Sequence, residues 1–220
     1  MSVYLYAIAG AEAEVPAGGG LHGASVRAVR TPALSAVVSN AEGAESLTAE
    51  SDLWDHELVV EQLMDDNDVL PVRFGTVLGD ESEVERLLVD REDELKGALE
   101  RVAGCVEVSV RAAILAPSNE HDTERPGSGT EYMQEALRRR LVAEHLSESI
   151  DRSLGPLARE SRITPSADAG RTVTGAWLID RGRLAEFRDR AAQLNADTEY
   201  AELVCTGPWP PYSFVGAGEG

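Results

Sequence analysis

A proline sits inside the apolar run Val69-Leu70-Pro71-Val72-Arg73-Phe74-Gly75-Thr76-Val77, and it restricts what that run can become. Proline has no amide N–H to give to a ladder, so the run is read as a strand at a sheet edge, or one that leaves its sheet there, with Gly75 marking the exit. Arg73 is a permanent cation among apolar neighbours, a position tolerated when the guanidinium meets a carboxylate or carbonyl groups. The reading is a structural tie from Arg73 to a carboxylate, joining strand to helix, with a contact to a partner protein as the alternative.

Acids for such a tie are abundant. The 220 residues carry 39 Asp and Glu against 20 Lys and Arg, a net charge of -19, and Lys96 is the one lysine. A hydrophobic share of 43% is ordinary for a globular chain, so the imbalance belongs to the surface. Such a surface repels phosphate backbones, which argues against nucleic acid and lipid membrane as partners. Acid excess with little lysine suits high salt, where screening removes self-repulsion, and the chain is read as halophilic. Cys105 and Cys205 have no close Cys or His at metal spacing and are read as buried thiols, so no metal or other cofactor is expected. Residues 1–10 lack a basic leader and no apolar run reaches the roughly 18 residues of a membrane helix, which predicts a cytoplasmic protein.

Along the chain, Val3 to Ile8 reads as a strand with Tyr4 and Tyr6 on one face, and Val26 to Arg30 with Leu34 to Ser39 as a hairpin turning at Thr31-Pro32. Gly18, Gly20 and Gly23 have dinucleotide-fingerprint spacing, but no helix follows them, so the match is chance. Thr48 is the expected cap of a helix to about Asn67, whose inner stripe is Leu53, His56, Val60, Leu63 and Met64. Ser82 and Glu85 form a capping box for a second helix to about Ala103, and Gly104 ends it. Val106, Val108, Val110, Ala112 and Ile114 line the buried face of a long strand.

Residues 117–129 are polar, hold two prolines and two glycines, and read as a linker or mobile loop. Thr130 then caps a helix to Leu154 with Tyr132, Ala136, Ala143, Leu146, Ile150 and Leu154 inward, broken at Gly155-Pro156. Strands at Ile163 and Thr172 to Ile179, a helix capped by Asp180, and a strand through Ala201, Leu203 and Cys205 follow. The fold class is α+β with two domains: 1–116, a small mixed sheet with two helices, and 130–220, a ferredoxin-like domain with a Pro/aromatic tail. The alternative gives strand 105–114 to the second domain.

The tail Thr206-Gly207-Pro208-Trp209-Pro210-Pro211-Tyr212-Ser213-Phe214-Val215 is stiff, and its three aromatics must bury something, either as a lid on its own domain or as a docking surface. A division is expected in which Trp209 anchors the tail and Tyr212 and Phe214 stay available.

Arg73-Phe74-Gly75-Thr76 and Gly207-Pro208-Trp209-Pro210-Pro211-Tyr212 carry a resemblance to the GvpF/GvpL family of gas vesicle accessory proteins. Supporting segments are Tyr4-Leu5-Tyr6, Leu34 to Ser39, His56 with Val59 and Val60, and Gly104 with Glu107; Ala7 stands where the family has glycine. The resemblance implies a non-enzymatic minor vesicle component, located at the gas vesicle, that binds the shell protein GvpA and other accessory gas vesicle proteins and assists nucleation and assembly. The acidic bias points to a haloarchaeal member. The interaction and signature residues it implies are Pro71, Arg73, Phe74, Gly75, Trp209, Pro210, Pro211, Tyr212 and Phe214. A small-ligand enzyme using His56, Glu57 and Arg73 is the alternative, weakened by the absence of a nucleophile elbow, phosphate loop, HExxH pair or calcium loop.

Overall fold

The computed structural model describes residues 1–42, 47, 49–115, 129–165 and 172–215. The chain divides into two compact units, Met1–Val106 with Trp209–Gly220, and Glu107–Pro208. The tail, expected with the second half, therefore packs in the first unit.

In the first unit, strand β1 (Val3–Gly10) is the middle of an antiparallel sheet ordered β2-β3-β1-β4, with β2 (Arg27–Arg30), β3 (Leu34–Asn40) and β4 (Val69–Pro71). Every residue from Val3 to Ala9 is buried, which is why β1 shows no polar alternation. The short β5 (Val77–Leu78) pairs the same side of β1 as β4. All of these pairings are antiparallel, so the expected mixed sheet is corrected. The β2–β3 hairpin forms as expected, with Thr31 N–H donating to Leu34 O and Leu34 N–H to Thr31 Oγ1.

Helix α1 (Glu50–Asp66) packs on β1 and β4, α2 (Glu81–Asp90) on β2 and β3, and α3 (Glu92–Val102) on β4. Thr48, the expected cap of α1, lies outside the described residues; the N-cap is Ala49, whose N–H donates to Asp52 Oδ2 at 3.1 Å. That capping, together with His22 Nε2 3.0 Å from Asp52 Oδ1, takes Asp52 inward, and Leu53 is left 42% exposed rather than in the stripe. His56, Val60, Leu63 and Met64 are buried as expected. The single helix expected over 82–103 is two, bent at Arg91, and its first cap is Asp80, which accepts from Glu83 N–H. A carboxylate at a helix N-terminus gains from the dipole as well as the hydrogen bond, so Asp80 starts the helix ahead of Ser82.

The second unit is a sheet ordered β7-β8-β6-β9 with two helices, built from β6 (Cys105–Ile114), α4 (Gly129–Leu154), β7 (Glu160–Pro165), β8 (Thr172–Asp180), α5 (Leu184–Asp197) and β9 (Ala201–Trp209). Strands β6 and β9 each cross the division between units by one or two residues. The 117–129 linker lies outside the described residues apart from Gly129, which opens α4 ahead of Thr130. The core of this unit takes Ala143, Leu146, Ile150 and Leu154 from α4, Val173, Trp177 and Ile179 from β8, and Phe187 and Ala191 from α5. Asp180 pairs with Arg159 instead of capping α5 by its side chain.

Candidate interaction site

The Val69–Val77 run is one edge strand with an excursion in it. Ala7 faces Pro71 and Tyr4 faces Val77, so six residues of the run span three of β1, and three are looped out. The ladder stays continuous on either side, with Val72 N–H donating to Tyr6 O at 2.9 Å and Leu5 N–H to Thr76 O at 3.0 Å. The excursion is a turn closed by Thr76 N–H and Oγ1–H, both donating to Arg73 O. Gly75 has φ 86, a left-handed backbone that a β-carbon disfavours, which fixes glycine there. Pro71 is buried on the edge strand, where its missing N–H costs no ladder bond.

The excursion turns its two large side chains opposite ways. Phe74 is half-buried, its ring centroid 5.7 Å from that of His56 in an edge-on contact. Arg73 is exposed and makes no ion pair among the described residues. The expected Arg73–carboxylate tie is therefore wrong. The apolar neighbours that suggested burial belong to the ladder before and after the loop, and Arg73 left that ladder.

Beneath the excursion lies a relay of polar groups inside an aromatic nest. Gly75 N–H donates to the Tyr4 hydroxyl at 3.0 Å, Tyr4 Oη is 2.9 Å from His56 Nδ1, His56 Nε2 is 3.1 Å from Tyr212 Oη, and the Tyr212 hydroxyl donates to Glu57 Oε1 at 3.0 Å. The ends set the direction. Tyr212 donates to Glu57 and so accepts from Nε2–H; Nδ1 is then the bare nitrogen, and Tyr4, which accepts from Gly75, donates its proton to it. His56 is thus neutral with its proton on Nε2, and each bond polarises the next. Tyr6 extends the nest: its hydroxyl meets Ser39 Oγ at 2.9 Å and accepts from Leu21 N–H at 2.7 Å. Gly20 makes that approach feasible, since a β-carbon there would collide with the Tyr6 hydroxyl.

The electrostatics agree with the directed relay. Burial pushes His56 down to about 4, with the Val72 backbone opposing, so the ring is neutral at ordinary pH. Burial raises Tyr4 to about 12, and raises Tyr6 and Tyr212 as well; for Tyr212 the neighbouring Glu57 adds to it. Glu57 is itself raised, by burial first, against the Tyr212 hydrogen bond. These are the perturbed groups that an enzymatic reading would look for. The nitrogens of His56 face the Tyr4 and Tyr212 hydroxyls and the Val72 backbone, however, and Arg73 is exposed, so the expected trio of His56, Glu57 and Arg73 is not brought together as a catalytic group.

The tail reaches this nest from the far end of the sequence. Pro210 and Pro211 are buried, Tyr212 is half-buried in the relay, and Phe214 is fully buried, with Arg101 Nη2–H donating to its carbonyl at 2.6 Å. Trp209 is 39% exposed. The expected division is reversed: Tyr212 and Phe214 anchor the tail, and Trp209 lies at the surface. Tyr4, Tyr6 and Ser39, which complete the nest, were not singled out as site residues; the signal for them was a pair of tyrosines on a strand otherwise wholly apolar.

The comparisons with known proteins fall on this same chain from end to end. Residues 2–216 match the family model for gas vesicle synthesis protein GvpL/GvpF, and the chain belongs to that family. It is 31% identical to gas vesicle protein L of Streptomyces sp. (strain CB03234) over 74% of its length and 68% of that protein's. It is 28% identical to gas vesicle protein F of the same organism, over 98% of this chain and all of that one. Gas vesicle protein L1 of Halobacterium salinarum is 27% identical over 66% of this chain and 63% of its own. The crystal structure of GvpF from Anabaena sp. PCC7120 has the same fold, with a TM-score of 0.82 at 22% identity over 99% of this chain and 97% of that one. A role in gas vesicles follows from the family. No helix among the described residues is long and apolar enough to cross a membrane.

Proposed function

We propose that this protein is a gas vesicle accessory component that binds the shell protein GvpA and assists vesicle nucleation and assembly without catalysing a reaction. The observation that carries this reading is the outward Arg73. A four-residue turn is held from below by Tyr4, His56 and Phe74, and this rigid support presents a single guanidinium to solvent from a unit of the opposite charge. Structural roles for the charge would have turned it inward. Trp209 supplies an exposed aromatic of the kind that anchors interfaces, on a tail fixed by Tyr212 and Phe214. An apolar shell subunit needs such a carrier before it joins a growing structure.

Two finer assignments go with this reading. The two compact units act as domains, strand 105–114 going mostly to the second, and the β7-β8-β6-β9 order with its two helices is the ferredoxin-like arrangement. The acidic surface suits a high-salt cytoplasm, with relatives in both Halobacterium and Streptomyces. Co-expression with GvpA and capture of either protein at high salt tests the function. Retention of GvpA on the folded protein is expected; its absence at every salt concentration overturns the reading.

A further inference from the structure

Strand β9 closes one side of the β7-β8-β6-β9 sheet, and among the described residues no strand lies beyond it. Leu115 N–H donates to Tyr200 O at 2.9 Å, so the backbone of Tyr200 faces β6. Successive residues of a strand turn their N–H and C=O to opposite sides, which puts those of Leu203, Cys205 and Gly207 on the open edge. An open edge is a template for another strand, and charges or prolines along it are the usual deterrent. The opposite edge has both, because β7 carries Glu160 and Arg162 and ends at Pro165. On β9 the deterrents stand only toward the ends, at Glu202 and Pro208. The five residues between them, Leu203-Val204-Cys205-Thr206-Gly207, hold no charge and no proline.

Helix α5 supplies what this run lacks. At its first residue, Asn195 Oδ1 accepts from Leu203 N–H at 2.7 Å; at its last, Arg188 Nη2–H donates to Gly207 O. Both side chains are exposed, and they lie seven residues apart, on one face of α5. An amide oxygen therefore stands where an incoming strand would place a carbonyl, and a guanidinium N–H where it would place an amide. Burial raises the Cys205 thiol and Arg188 opposes that rise, so the same cation also acts on the middle of the run.

We propose that the open edge of β9 is a strand-addition site that Arg188 and Asn195 hold closed, and that the strand it takes when they are displaced is β9 of a second copy, paired antiparallel about Cys205. The register names the occupant. Leu203, Cys205 and Gly207 are symmetric about Cys205, so a two-fold axis there sets Leu203 of one copy against Gly207 of the other. The two capped groups, an N–H and a C=O, then become each other's partners. The displaced caps match as well, because the same axis brings the Arg188 end of one α5 to the Asn195 end of the other, donor to acceptor. On the outer face Val204 meets Thr206, with no like charges opposed. The contact is isologous and stops at a dimer. It uses neither Arg73 nor GvpA, so it stands or falls apart from the function proposed above.

The test compares Arg188→Ala with Asn195→Ala, in one full-length chain, against wild type by sedimentation velocity at about 0.15 M salt. With two edge bonds no longer to be displaced on each copy, the variant should dimerise at least about tenfold more tightly than wild type. Cys205 reports the register. Hydrogen-bonded antiparallel pairs hold their Cα atoms about 5.5 Å apart, within reach of a disulfide, and the other thiol, Cys105, is buried. Copper–phenanthroline with dissolved oxygen takes two protons and two electrons from facing thiols, so the variant should cross-link through Cys205 well ahead of wild type. Amide exchange on unmodified wild type checks the cap itself: the Leu203 amide should be protected and the Cys205 amide should exchange faster. A variant that associates no more tightly than wild type, a dimer that does not cross-link through Cys205, or a Leu203 amide that exchanges as fast as that of Cys205 overturns the proposal.

Discussion

His56 Nε2 lies 3.1 Å from the hydroxyl of Tyr212, although 156 positions separate the two in sequence. This bond joins the tail to α1 and, through Tyr4, to the middle strand of the sheet. His56→Phe would keep a ring of similar shape but leave the Tyr4 hydroxyl proton without its acceptor, while Tyr212 loses one donor and still donates to Glu57. One buried unsatisfied donor costs about 1–3 kcal/mol, so a loss of about that size is expected, read as a lower urea midpoint with an unchanged slope.

Acid should act on the same residue. His56 is depressed to about 4 in the folded protein against about 6.5 when unfolded, so the unfolded chain binds the additional proton between those values. Its contribution is fully present above about pH 6.5 and is lost as pH falls toward 4, by roughly 3 kcal/mol. Glu57 runs the other way, because its raised folded value favours the protonated form in the native state and so offsets part of the loss just above its ordinary range. Comparing urea unfolding of wild type and His56→Phe from pH 7 to pH 4 removes the terms they share, and the gap between them should narrow with acid. A gap independent of pH would mean that His56 is not held neutral by burial.

Phe214 and Trp209 should separate cleanly in thermal melts. Phe214→Ala empties a fully buried site and is expected to cost about 3–5 kcal/mol, a fall of roughly 10 °C for a chain of this size. Trp209→Ala, at a surface position, should cost under about 1 kcal/mol. The tail shows what the sequence could and could not reveal. Three prolines and three aromatics were enough to say that something is buried there. Which aromatic is buried depends on where α1 presents His56 and Glu57 and where Arg101 meets the Phe214 carbonyl, and no local pattern carries that.

Gly75→Ala should destabilise by about 1–2 kcal/mol, since φ 86 is unfavourable for a residue with a β-carbon. The loss should also appear as altered amide exchange at Gly75, whose N–H holds Tyr4. The local rules were legible here: Pro71 on an edge and Gly75 at a turn followed from backbone chemistry alone. Arg73 was misread because apolar neighbours suggested burial, while the three-residue excursion is visible only in how the run registers against β1. Periodicity likewise located the strands and most of the helical stripes. It missed Asp52, which turns inward to serve a cap and His22.

Arg73 is a surface group presented by a rigid base, and the proposed role rests on that placement. The direct measurement is Arg73→Ala, with its melting temperature and its capture of GvpA taken from the same preparation. Stability should stay within about 0.5 kcal/mol of wild type, as for an exposed side chain with no ion pair among the described residues, while GvpA retention falls several-fold. A variant that melts several degrees lower, or one that melts as wild type and retains GvpA undiminished, would contradict the assignment.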